Sequence, residues 1–216
     1  MKTFQLEGSP REISGKKASK AIRKQGMIPA VIYGQAPVEL PYKGELNKGE
    51  KIVEIGDNKG LLTTNFVVTA ENIRNLIYTP HIYLVELSLE GGRKIKSIIK
   101  DLQFHPVSDT LLHIDFLEVF DGKPIVMEVP IVLEGHAEGV KAGGKLNLDM
   151  RRLRVKALYD KIPEKLTVNV EKLGLGKAIQ VGDLHFDGLE LVNARNAVVC
   201  SVKLTRAARG LEAASR

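Results

Sequence analysis

Val85-Glu86-Leu87-Ser88-Leu89-Glu90-Gly91-Gly92-Arg93-Lys94-Ile95-Lys96-Ser97-Ile98-Ile99-Lys100 is the stretch that decides the fold. Val85, Leu87 and Leu89 alternate with Glu86, Ser88 and Glu90, which is the two-residue period of a half-buried strand. Gly91-Gly92 then offers a tight turn, and a second β-like run extends from Arg93 to Lys100. Together they read as a hairpin. The same reading extends outward. Ile28 to Tyr33 is a strand, and so is Leu112 to Phe120. Past the turn-rich Asp121-Gly122-Lys123-Pro124, further alternating rows follow: Ile125/Met127/Val129/Ile131/Leu133, Leu166/Val168/Val170 and Val198/Cys200/Val202/Leu204. Two helices interrupt the strands. One covers about 16–25 and stops at Gly26. The other covers about 70–78, with Thr69 as N-cap and Pro80 just beyond its end. The chain is therefore predicted to be mainly β. A boundary near 120 gives two β-rich domains, 1–120 and 121–204. Residues 205–216 have no periodic apolar face and are expected to form a flexible tail.

The chain has 216 residues, of which 44% are hydrophobic and 27% charged, so it can bury a packed core. A single cysteine excludes an internal disulfide framework and any multi-cysteine metal cluster. No apolar stretch approaches the roughly 18 residues a membrane span needs. The first residues, MKTFQLEGSPREISGKK, lack the apolar run of a signal peptide. These features predict a soluble, cytoplasmic protein with no membrane partner.

The net charge is +6, and residues 1–30 alone supply +5. Lys16, Lys20 and Arg23 recur at i, i+4 and i+7 and form one helical stripe, widened by Lys17 and Lys24. Ala18, Ala21 and Ile22 make the narrow apolar side. Such a stripe suits a polyanion, because each phosphate contact releases counterions. A solvated helix face is the plain alternative. Tyr33, at the end of the following strand, is placed to stack on a base or bond a phosphate, or simply to half-cover the sheet.

His113-Ile114-Asp115-Phe116 is the sharpest local feature. With Ile114 and Phe116 in the core, His113 and Asp115 project outward together. A carboxylate accepts from base amino groups, and an imidazole donates to a phosphate or base edge. An exposed contact without function remains the alternative. No motif marks a nucleophile beside this pair. The five histidines show no metal-ligand spacing, so neither metal nor cofactor is expected. Gly139 to Lys145 has P-loop spacing, but Leu146 replaces the Ser/Thr and the following residues alternate like a strand. Gly174 and Gly176 begin a dinucleotide pattern that goes no further. Cys200 sits in an apolar row and reads as an inert core residue.

Three segments then read together: Gly15-Lys16-Lys17-Ala18-Ser19-Lys20 running to Pro29-Ala30-Val31-Ile32-Tyr33-Gly34, then Asp101-Leu102-Gln103-Phe104-His105-Pro106, then His113-Ile114-Asp115-Phe116. In this order and spacing they closely resemble the bacterial large-subunit ribosomal protein twenty-five family. The continuation, with Val129-Pro130, Gly135 to Gly144, Ile162-Pro163 and Val181-Gly182-Asp183-Leu184, resembles its long form, called CTC or general stress protein. The resemblance implies an N-terminal six-stranded β-barrel with short helices, similar to the anticodon-binding domain of glutaminyl-tRNA synthetase, and a β-rich C-terminal domain.

It further implies binding to the loop E region of 5S ribosomal RNA within the large ribosomal subunit, with neighbouring ribosomal proteins as further partners. A regular A-form major groove is too narrow to read, so an irregular helix is a sensible target. The positions that match the family's RNA-contacting pattern are Arg11, Lys16, Lys20, Arg23, Tyr33, His113 and Asp115, with Ser19 and Gly34 in the same motifs. Lys20 stands where the family often has Arg, which keeps the charge and loses the bidentate fork. Position 104 is Phe where some members are basic, so no RNA role is carried to it. The implied role is structural and non-catalytic. An RNA-handling enzyme would need a nucleotide-binding motif, and none survives inspection. An RNA-binding stress protein acting off the ribosome is the alternative. Residues 121–216 carry +4 and are compatible with RNA or with a protein neighbour.

Overall fold

The computed structural model describes residues 2–12, 15–39, 46–56, 59–89 and 94–205. The chain divides into two compact units, 1–123 and 124–216.

The first unit contains β1 (Lys2–Pro10), α1 (Lys16–Lys24), β2 (Met27–Glu39), β3 (Glu50–Gly56), β4 (Lys59–Thr69), α2 (Ala70–Ile77), β5 (Tyr83–Leu89), β6 (Lys94–Phe104) and β7 (Leu111–Glu118). The sheet order is β1-β5-β6-β7-β2-β4-β3, and β1 also pairs with β4. That extra pairing closes six strands into a barrel and leaves β3 as a flap on β4. Closure pairs the edges of the barrel strands β1 and β4 that would otherwise invite pairing with other chains. β1 achieves it by dividing its length. Lys2 to Gly8 run parallel to β5, and Ser9 and Pro10 meet Val67 and Phe66 of β4.

Inward positions follow the expected alternation. Val85, Leu87 and Leu89 are buried, as are Ile28, Ala30 and Ile32 on β2 and Ile114 and Phe116 on β7. Phe66 and Phe116 stack at 5.6 Å between centroids in the middle of this core. β5 and β6 pair antiparallel as the hairpin reading requires, with Ser88 opposite Lys94. The Gly91-Gly92 turn itself lies outside the described residues. Ser97 faces inward and satisfies its hydroxyl on the Val85 carbonyl at 3.2 Å.

Both helices fall where periodicity puts them. Gly26, at φ 74, stops α1 with a left-handed residue. Thr69 occupies the N-cap position of α2, but its hydroxyl makes no capping bond. The Ala70 amide instead donates to the Gly26 carbonyl at 3.1 Å, so the end of one helix serves the start of the other. The covered face of α1 differs from the expectation. Ala18, Ser19 and Ile22 are half-buried, whereas Ala21 is exposed. Ser19 takes the place of Ala21 on that face, and its hydroxyl accepts a hydrogen bond from Arg11 Nη2.

The second unit contains β8 (Ile125–Glu134), the short α3 (Glu138–Lys141), β9 (Lys145–Leu148), β10 (Arg152–Ala157), β11 (Leu166–Asn169), β12 (Ala178–Gln180), β13 (Glu190–Leu191) and β14 (Val198–Lys203). One sheet has the order β11-β8-β10-β13 and a second the order β12-β14-β9. Ile125, Val129 and Ile131 are buried as their alternation requires. On β14, Val199 is buried beside Cys200, which breaks the Val198/Cys200/Val202 row. The cause is an irregularity in pairing: Ile179 faces Cys200 and Gln180 faces Val198, so Val199 is an extra residue.

The glycines of 139–145 have a packing role. A Cβ on Gly139 would lie 2.6 Å from the Gly174 backbone, so two loops touch there. The Gly139 and Gly144 amides already donate to the carbonyls of Leu173 and Gly139. They have no free N–H to turn toward a phosphate. Residues 145–148 form a strand, as the sequence predicts. Burial pushes the Cys200 thiol up, with Asp149 adding to the effect, so it is a poor nucleophile. The tail from 206 onward lies outside the described residues. No helix among those described is long and apolar enough to cross a membrane.

Candidate nucleic-acid interface

The outer face of β7 carries His113 and Asp115, because Ile114 and Phe116 are committed to the core. The His113 Nδ1–H donates to the Asp115 carboxylate at 2.6 Å. This fixes the ring and leaves Nε2 as the second hydrogen-bonding atom of the imidazole. The two side chains remain 28% and 26% exposed, enough to reach a partner and covered enough to be held.

Neighbouring strands widen the site. β2 runs parallel to β7 with Val31 beside Asp115, and Tyr33 lies two residues further on the same face. Burial raises the Tyr33 hydroxyl above its ordinary value, and Asp115 and Asp101 add to the shift. β6 runs antiparallel, setting Asp101 opposite Asp115 and Gln103 opposite His113. Asp101 and Gln103 thus share this surface, though the sequence did not mark them as site residues. A pairing irregularity between Ile99 and Asp101 brings them into register, and a single strand cannot reveal such a shift.

A second irregularity links this surface to the basic helix. Gln103 faces His113 and Phe104 faces Leu111, so Leu112 has no partner in the ladder. Its carbonyl accepts the Arg23 Nε–H at 2.9 Å. Arg23 therefore anchors the last turn of α1 beside His113. Arg11 Nη2 donates to Ser19 Oγ at 2.9 Å. Burial lowers the Arg11 pKa, and the charge of Arg23 lowers it further.

Lys16, Lys17, Lys20 and Lys24 are exposed on α1. The first turn has no acidic residue and no side-chain cap. Lysines at a helix N-terminus oppose the macrodipole at about 0.3–1 kcal/mol each. An anion bound there would be attracted both by the lysines and by the positive end of the macrodipole, which offsets that cost. The structure thus joins two groups. Arg11, Lys16, Ser19, Lys20 and Arg23 belong to the helix side, and Tyr33, His113 and Asp115 to the sheet side. Gly34 follows Tyr33 where β2 leaves its ladder, and a Cβ there would lie 3.3 Å from the Glu118 carboxylate. Among the described residues, no group of three His, Cys, Asp or Glu side chains is arranged to hold a metal.

Comparison with known proteins shows the family to which the chain is similar. Residues 6–116 match the family model for the Ribosomal L25p family. Residues 124–206 match the model for the Ribosomal protein TL5, C-terminal domain. The chain is 60% identical over 210 residues to a large ribosomal subunit protein bL25 of Porphyromonas gingivalis, covering 97% of each. It is 58% identical over 218 residues to the bL25 of Parabacteroides distasonis, covering 99% of each. A Bacteroides fragilis bL25 is 52% identical over 220 residues, covering 100% of this chain and 99% of the relative.

Proposed function

Because the chain belongs to the ribosomal L25p family and carries the TL5-type C-terminal domain, we propose that it is a structural, non-catalytic component of the bacterial large ribosomal subunit that binds 5S rRNA. The observation that carries the RNA reading is the His113–Asp115 pair, held outward beside a helix of five cations and no anion. A surface built only for phosphates has no use for a carboxylate. Asp115 next to that helix suits a partner that offers both phosphates and base donors.

In this reading Lys16, Lys20, Arg11 and Arg23 neutralise phosphates along an irregular helix of the loop E type. Ser19 positions Arg11, and Tyr33 and Gly34 border the backbone. Asp115 accepts from a base amino group, and it orients His113 to donate or accept through Nε2. The first unit is the RNA reader. The second, whose residues 121–216 carry +4, adds contacts to rRNA or to a neighbouring protein. The work is done on the ribosome, in the cytoplasm. Affinity capture of the chain followed by RNA sequencing, together with co-sedimentation with ribosomal particles, tests the proposal. Enrichment of 5S rRNA and migration with the large subunit are expected. Migration as free protein under all conditions would favour an off-ribosome stress role.

A further inference from the structure

A groove of about 710 Å³ lies on the first unit between the end of α1, α2 and the loop that joins β6 to β7. The volume falls in the range of small-ligand sites. Its apolar lining includes Met27, Ile73, Ile77, Leu111 and Leu112. Arg23, Arg74, Tyr78 and Asp109 also line it, and none of these four belongs to the barrel core. Tyr78 is 65% exposed, and the Arg74 guanidinium has no partner among the described residues. Asp109 adopts a left-handed conformation at φ 50, fixed by its amide donating to the His105 carbonyl at 3.0 Å.

We propose that this groove receives an unstacked nucleotide of the bound RNA, a proposal that rests on the 5S rRNA reading and adds a site to it. The lining offers chemistry for the base and for the phosphate of a nucleotide. The apolar side chains and the Tyr78 ring take the base face, where stacking on an aromatic ring is sequence-tolerant. Arg74, with the Nη groups of Arg23, takes a phosphate. Asp109 repels phosphate from its own part of the groove and offers an acceptor to a base amino group. Specific RNA recognition commonly targets bases splayed out of the helix. The charge pattern selects the occupant. A peptide with an acidic flank would meet the same two arginines, but Arg23 also joins the groove to the cations of α1. A polyanion passing along α1 engages both.

The test uses the full chain, 5S rRNA, and the variants Arg74→Ala and Tyr78→Ala. Both positions are exposed, so both variants should fold, which circular dichroism checks. Base-specific chemical modification of the RNA is the main readout. In the wild-type complex an unpaired base is expected to become protected. Each variant should lose that protection, keep the protections contributed by the β7 face, and bind about 5- to 50-fold more weakly. Unchanged affinity with an unchanged protection pattern overturns the groove proposal. So does weaker binding with every base protection retained, which would reflect charge alone. Failure of the wild-type chain to bind 5S rRNA at all overturns the parent reading as well, and so separates the two.

Discussion

Asp101 and Asp115 stand directly opposite one another across β6 and β7. Like charges in that position destabilise an antiparallel pair, by about 0.2–1 kcal/mol on the scale of cross-strand interactions. Asp115 recovers part of the cost through the 2.6 Å bond from His113. Asp101, opposite it on β6, is exposed. Two facing carboxylates make sense where a partner brings donors to both.

Asp101→Asn should therefore stabilise the free protein by up to about 1 kcal/mol at low salt, with the gain shrinking as salt screens the pair. Urea unfolding at two ionic strengths measures it. An unfolding midpoint that does not move at low salt would remove the repulsion from the argument.

Tyr33 gives a prediction at alkaline pH. Burial, then Asp115 and Asp101, raise its folded-state pKa above the ordinary 10.0. The folded protein therefore holds this proton more tightly than the unfolded chain does. The resulting stability is complete below pH 10.0 and is lost as pH rises through the raised folded value. Tyr33→Phe should abolish that part of the alkaline decline. Unfolding curves for both proteins on either side of this window test it. Identical declines would mean that Tyr33 titrates as a free phenol.

Local pattern made much of this architecture legible. Ile114 and Phe116 alternate with His113 and Asp115, and burial decided which pair faces out. The stop at Gly26 and the start at Thr69 were equally plain. What stayed hidden depends on register between strands distant in sequence. Nothing in the residues around Leu112 announces that its carbonyl leaves the ladder and receives Arg23. Nothing around Asp101 shows that a shift one residue earlier aligns it with Asp115. Val199 is hidden for the same reason, since its burial follows from its pairing with β12. Ser19 stands in the sequence only as a motif hydroxyl, and its bond to Arg11 comes from a residue eight positions away.

Salt should report the phosphate contacts. With roughly four to six of them, log affinity for 5S rRNA should fall against log salt with a slope of about −3 to −5. Lys16→Ala should flatten that slope by roughly one unit and weaken binding to all RNAs alike. A wild-type slope near zero would rule out the basic helix as a phosphate clamp.

The residues of the proposed interface all precede the division at 123/124. A fragment of residues 1–123 should keep most of the affinity for 5S rRNA, and residues 124–216 should bind it weakly or not at all. Titration of each fragment settles the division of labour. Tighter binding by the C-terminal fragment would relocate the interface.

Asp115→Ala separates base reading from charge neutralisation. Asp115 is an anion at a site for a polyanion, so its removal should strengthen binding if electrostatics alone ruled. Removal weakens binding only if the carboxylate accepts defined bonds from the RNA or aims His113 to make them. The 2.6 Å contact between the two side chains supports the second case. We expect a loss of about 1–3 kcal/mol on 5S rRNA, the scale of one specific base contact, and a smaller preference over a regular duplex. Calorimetric titration against both RNAs measures the two quantities, once circular dichroism shows that the variant is folded. His113→Ala gives the complementary result. If Asp115 acts only through the imidazole, the double variant loses no more than His113→Ala alone. If Asp115 also meets a base itself, the double variant loses more. Unchanged or tighter binding by Asp115→Ala would reduce the pair to a surface contact without a role in recognition.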